Sequence, residues 1–117
     1  MLTKEYIKDL KINGNGTFKE LVRNNSSNAG NLVFILENLG HLPVNFDGKW
    51  LLDLAQSKFS HVRELAVKNI AKLTQAEYIE ALNKIIQTDT DTNVRREAVS
   101  AIGRMRNINN KKILVKI

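Results

Sequence analysis

The residues best able to do chemistry are two histidines, His41 and His61, a scatter of carboxylates, and a run of cations near the C-terminus. The histidines stand twenty residues apart, and neither falls in a ligand spacing such as His-Glu-x-x-His, so no metal site is expected. His41 is expected at a helix end, where a cation suits the dipole, and His61 near a helix start. Cysteine is absent, which removes disulfides, zinc thiolates and iron–sulfur clusters. There is no Gly-x-Ser-x-Gly elbow. Asn13-Gly14-Asn15-Gly16 lacks both the Lys-Ser/Thr ending and the preceding strand of a phosphate loop, and reads as a turn. Serine and threonine are plentiful, yet no Ser-His-Asp set can be argued. The residues therefore predict no catalytic group, no metal, no cofactor and no small-molecule substrate.

The cations are unevenly placed. Of 18 Lys and Arg, thirteen lie in residues 1–97 beside all 12 acids, and this part nearly balances. The last twenty residues carry Arg104, Arg106, Lys111, Lys112 and Lys116 with no acid. Such a run can attract phosphate backbones or an acidic protein, although a solvated helix end is the simpler reading. No apolar stretch is long enough to span a bilayer, and Met1-Leu2-Thr3-Lys4-Glu5 is not the start of a signal peptide. A cytoplasmic protein that does not enter a membrane is expected.

The elements that would position these groups are all helical. Aromatics make up 6% of the chain, so a core of Leu, Ile, Val and Ala is required, which suits helix-on-helix packing. Tyr6, Ile7 and Leu10 mark a first helix. Thr17 and Glu20 form a capping box for a second. A third is expected over residues 29–42, ended by Pro43. Asn45 or Asp47 caps a helix holding Trp50, Leu51 and Leu54, with Trp50 in the core. Helices follow over residues 62–73, from a second capping box (Thr74, Glu77) to Ile86, and from Asn93 to Arg106, with a break at Asn107–Asn110. No period-two alternation is present, and seven or eight helices joined by short turns make a row of stacked hairpins.

An internal repeat is legible at an offset of 32 residues. Val62-Arg63-Glu64-Leu65-Ala66-Val67 lies over Val94-Arg95-Arg96-Glu97-Ala98-Val99, Ile70 over Ile102, Ala71 over Gly103, and Leu54 over Ile86. A fainter copy lies at an offset of 31, with Ile35-Leu36 over Ala66-Val67, and it lacks the Val-Arg pair. The apolar positions of each second helix, at 0, +4, +5, +8 and +11, share one face. The small residue at +9 would let a neighbouring backbone approach. One hairpin cannot bury that face alone, so hairpins must stack.

Thr88-Asp89-Thr90-Asp91-Thr92-Asn93-Val94-Arg95-Arg96-Glu97-Ala98-Val99 resembles the turn and second helix of the HEAT repeat, particularly the short bacterial variety. The resemblance covers residues 48–106 well and residues 28–43 in part; the earlier good copy has Ser57 and Phe59 where the acids Asp89 and Asp91 stand. It implies an all-α fold, an α-α superhelix of HEAT-like hairpins wound as a right-handed solenoid. It also implies that Arg63 and Arg95 join a structural ladder with turn carboxylates, Asp89 and Asp91 being the natural partners of Arg95. The His-Glu pairs through which some HEAT-like enzymes bind iron are missing. Asp47, Asp53 and Trp50 match the acidic and aromatic residues of HEAT-like DNA glycosylases too thinly to be carried over.

The domain expected is a single solenoid. Residues 1–46 form divergent N-terminal helices or a cap, residues 47–106 two clear repeats, and residues 107–117 the start of a further repeat, so that a fragment of a longer protein is expected. The resemblance puts the second helices on the concave side. Lys68, Lys72, Arg96 and Arg104, extended by Arg106, Lys111 and Lys112, would then line it as a basic band. The expected function is a non-catalytic scaffold for a protein partner. The alternative is a nucleic-acid backbone-binding module of a DNA- or RNA-acting protein, against which stands the lack of aromatics among the basic residues.

Overall fold

A computed structural model describes residues 2–13, 17–43, 46–73 and 75–115, with side chains described through residue 105. The turn residues Gly14–Gly16 and the capping positions Asn45 and Thr74 lie outside the described residues. Those described form seven helices and no strand: α1 (Lys4–Asn13), α2 (Phe18–Asn24), α3 (Ala29–Glu37), α4 (Lys49–Leu54), α5 (Ser60–Ile70), α6 (Ala76–Thr88) and α7 (Thr92–Val115).

The helices stack as hairpins. α4 packs on α5 and α6 on α7, while the second helices form a continuous row in which α5 touches both α3 and α7. The outline, 49 × 35 × 17 Å, is flat and elongated, as a row of hairpins must be. The repeat pattern decides what is buried. Val62, Ala66, Val67, Ile70 and Leu73 are all buried along α5 and its end. Each large aliphatic among them contributes about 1.5–3 kcal/mol on leaving water. The matching positions of α7 diverge at one point: Val94, Ala98, Ile102 and Met105 are buried, but Val99 is 56% exposed. Val67 is covered because α5 has second helices on both sides, α3 and α7, whereas α5 is the second helix that packs on α7. Ala71 is buried as expected of the +9 position, but a Cβ built on Gly103 would meet nothing within 4 Å.

Two helix ends differ from expectation. α3 stops at Glu37, well before Pro43. The amide of Asn38 donates back to the carbonyls of Phe34 and Ile35, its side-chain amide donates to Phe34, and Gly40 then takes a left-handed φ of +59°. That conformation ends a helix without help from proline. α7, in contrast, runs through Asn107–Asn110 to Val115. Asparagine is a mild helix former, and no Gly or Pro stands after Gly103 to stop propagation.

The carbonyls left free by the end of α3 draw three side chains from other elements. The Lys11 ammonium donates to Leu39 and His41 carbonyls (2.7 and 2.8 Å), tying α1 to this corner. Lys72 donates to the Gly40 carbonyl at 2.7 Å and to Asn69 Oδ1 at 2.9 Å. Asn69, the one buried polar residue among those described, donates through Nδ2 to the carbonyls of Leu36 and Leu65. Its amide group is thus used on both ends, as burial demands.

The turns repeat bond for bond. Asp91 N–H donates to Asp89 Oδ1 (2.9 Å), and 32 residues earlier Phe59 N–H donates to Ser57 Oγ (3.2 Å). Arg95 Nη1 donates to the Asp89 carbonyl (2.7 Å), and Arg63 Nη1 to the Ser57 carbonyl (2.9 Å). Arg63 goes further and clamps the Asp89 carboxylate of the next hairpin with two bonds, Nε to Oδ2 at 2.9 Å and Nη2 to Oδ1 at 3.2 Å. The two side chains are 15% and 7% exposed. Arg95 therefore meets Asp89 through its backbone carbonyl, and its Nη2 donates to Thr92 Oγ1 instead of a carboxylate. Asp91 caps α7, accepting from the amides of Asn93 and Val94.

Burial pushes the Asp89 carboxyl up, but the bonds from Arg63 and the Asp91 amide, with the charges of Arg63 and Arg95, outweigh it and hold the group below the usual carboxylate range. Its folded value is thus below its unfolded one, so the stabilisation is complete above the unfolded value of about 4 and fades as pH falls through the folded value. Comparing thermal melts of Asp89→Asn and the parent chain, the gap in midpoint should be full at neutral pH and shrink under acid. Arg63→Ala should cost about 1.5–3 kcal/mol in denaturant unfolding, the range for hydrogen bonds to a charged group. Asn69→Ala, which strands the Leu36 carbonyl, should cost about 1–3 kcal/mol by the same measurement.

Candidate interaction surface

The second helices α5 and α7 place the proposed basic band. From Val62, positions +2 and +6 on α5 are Glu64, half-buried, and Lys68, exposed; Lys72, at +10, is exposed but lies two residues past the end of α5, in the turn that follows, where a helix to residue 73 was expected. On α7 the same positions are Arg96, Ser100 and Arg104, all exposed. They fall on the side of each helix opposite the buried Val, Ala and Ile, which follows from the 3.6-residue period.

The four described cations differ in what they are free to do. Lys68 and Arg96 make no hydrogen bond or ion pair among the described residues, so their charges face water. Lys72 is bound to the Gly40 carbonyl and to Asn69. Burial, with the neighbouring Lys11 charge, pushes its ammonium below the usual lysine range. Its position closes the end of α3, which is a structural task. Arg104 reaches two turns back to Glu97 (Nη2 to Oε1, 3.2 Å) and remains 53% exposed. A surface pair of this kind contributes about 0–1 kcal/mol and yields easily to a competing ligand. Arg106, Lys111 and Lys112 continue α7, and their side chains lie outside the described residues.

Sequence reasoning placed Lys72 in a helix over residues 62–73, whereas α5 ends at Ile70. It missed the carbonyls of Gly40 and Leu39, because α3 was expected to continue past them. A clue was present in the Asn38-Leu39-Gly40 stretch, whose residue types favour a helix stop.

The other candidate groups are scattered. His61, exposed, stands 3.5 Å from half-buried Glu64, and His41 is exposed four residues past Glu37, not at the helix end expected of it. No group of three His, Cys, Asp or Glu side chains converges as a metal site among the described residues. Trp50 is core: its indole stacks on Phe18 (5.0 Å between centroids, 14° between planes) and meets Phe46 edge-on. No helix among the described residues is long and apolar enough to cross a membrane.

Comparison with known proteins agrees with this geometry. A family model described as HEAT repeats matches residues 48–117. No curated protein and no solved structure matches the chain. The match begins at the first residues of α4 and takes in both hairpins whose turns share the same bonds 32 residues apart, well over half of the sequence. This protein belongs to the HEAT repeat family.

Proposed function

We propose that this chain works as a non-catalytic scaffold that binds a protein partner through the exposed face of α5 and α7. HEAT repeats generally mediate protein interaction as scaffolds. The observation that carries the reading is the pairing of two unengaged cations, Lys68 and Arg96, on adjacent helices held rigid by the Arg63–Asp89 clamp. A partner with acidic side chains at matching spacing would meet two free cations on helices already docked, so that only the two side chains need ordering. Arg104 would join on exchanging Glu97 for the partner's carboxylate, and Arg106, Lys111 and Lys112 would extend the band along α7.

Binding of a nucleic-acid backbone is the second reading, favoured by the net charge of +6. It has less support, since Lys72 is committed to the α3 terminus and no aromatic side chain accompanies the cations.

The experiment is partner capture on the tagged chain, with and without nuclease, repeated on Lys68→Glu combined with Arg96→Glu. The expected result is a nuclease-resistant protein partner whose capture falls at least about tenfold in the variant, with an unchanged thermal midpoint. Capture that the double reversal leaves intact would overturn the assignment of this face. Capture lost with nuclease, with affinity falling steeply in salt, would move the function to nucleic acid.

A further inference from the structure

The Arg63–Asp89 clamp closes the turn edge between the α4–α5 and α6–α7 hairpins, leaving a shallow hollow of about 230 Å³ beside it. One junction earlier the clamp cannot form. Leu32 stands where Arg63 would be, at the offset of 31, and Ser57 stands where Asp89 would be, at the offset of 32. Both residues line a cleft of about 480 Å³ between α2, the start of α3 and α4. That volume lies within the range of ligand sites, roughly 300–1,000 Å³.

The lining of this cleft is unbalanced in charge. Lys19, Arg23 and Lys58 surround it, with Asp53 as the one acid. None of the three cations has an ion pair among the described residues; Lys58 rests over the Phe59 ring at 5.2 Å. Trp50 forms part of the wall, and its Nε1–H is buried without an acceptor in a residue only 4% exposed. Val22, Leu32 and Leu54 form the floor of the cleft and are themselves buried, so they offer an incoming group little surface.

We infer that this cleft is a docking site for an acidic peptide segment of a partner protein, which supplies a carboxylate to Lys19, Arg23 and Lys58. A peptide carboxylate is the occupant because the equivalent space one junction on is filled in just that way, by Asp89 from a turn meeting a guanidinium. The missing rung of the degenerate repeat thus becomes a place for a rung from outside. The site shares no residue with the α5–α7 face. It rests on the scaffold reading only in taking a protein as the partner, and charge reversals at the two places separate their failures.

The test selects a random peptide library on the full chain and titrates the enriched peptides against the emission of Trp50, the sole tryptophan. The expected peptides carry Asp or Glu and shift Trp50 emission saturably. Arg23→Glu with Lys58→Glu should weaken them at least tenfold, and Lys68→Glu with Arg96→Glu should leave them unchanged. Ser57→Asp, which puts a carboxylate of the chain's own into the cleft lining, should weaken binding; circular-dichroism melts establish that each variant folds. The proposal is overturned by no enrichment, by enriched peptides without an acid, or by binding that survives Arg23→Glu with Lys58→Glu in a folded chain. Emission that responds to inorganic phosphate and to no peptide overturns it equally.

Discussion

The structure depends on covering the apolar face of α5. Val62, Ala66, Val67 and Ile70 are all fully buried, and a single partner helix could not reach them all. α4 lies against α5 within its own hairpin, and α3 and α7 press on it from either side. Because the side chains are small or β-branched, the helices approach closely and the burial is dense. Everything at the periphery, from the Lys11 and Lys72 bonds at the end of α3 to the turn edge, follows from where those three neighbours must sit.

Apolar burial alone would allow the hairpins to slide on one another, since it has no direction. The polar bonds at the turns and helix ends remove that freedom. The bidentate Arg63–Asp89 contact sets the distance and orientation between two turns, and Asn69 sets the height of α5 against the last turn of α3. These bonds sit at the margins of the core, where a planar guanidinium or amide can be fully satisfied without isolating a charge in hydrocarbon. The same edge carries the difference between junctions. Where the clamp is present the edge is closed; where Leu32 and Ser57 replace it, a cleft opens with cations around it.

The two candidate sites were legible to different degrees. Lys68 and Arg96 could be placed from register alone, because a helix face follows from a count of residues. Lys72 shares that register but spends its charge on a carbonyl 32 residues away, which no periodicity reveals. The ladder was legible as a set of residue types, but not as a set of bonds. Asp89 pairs with the arginine of the preceding hairpin and Asp91 turns its carboxylate to the amides that open α7. The Leu32–Ser57 substitution was visible as a departure from the repeat, while the cleft it leaves was not.

What the sequence determined by itself is the class of structure: an all-helical row of hairpins, with its repeat length, the buried face of each second helix, and no cysteine chemistry. These are local properties, fixed by 3.6-residue periodicity and by turn residues within a few positions of one another. Only the tertiary structure decided the end of α3 at Glu37, the engagement of Lys11 and Lys72 with its carbonyls, the exposure of Val99, and the partner of each turn carboxylate. Those outcomes depend on which hairpin lies beside which and at what height. Contacts of that kind join residues about thirty positions apart in the chain, and they exist only once the apolar faces have met.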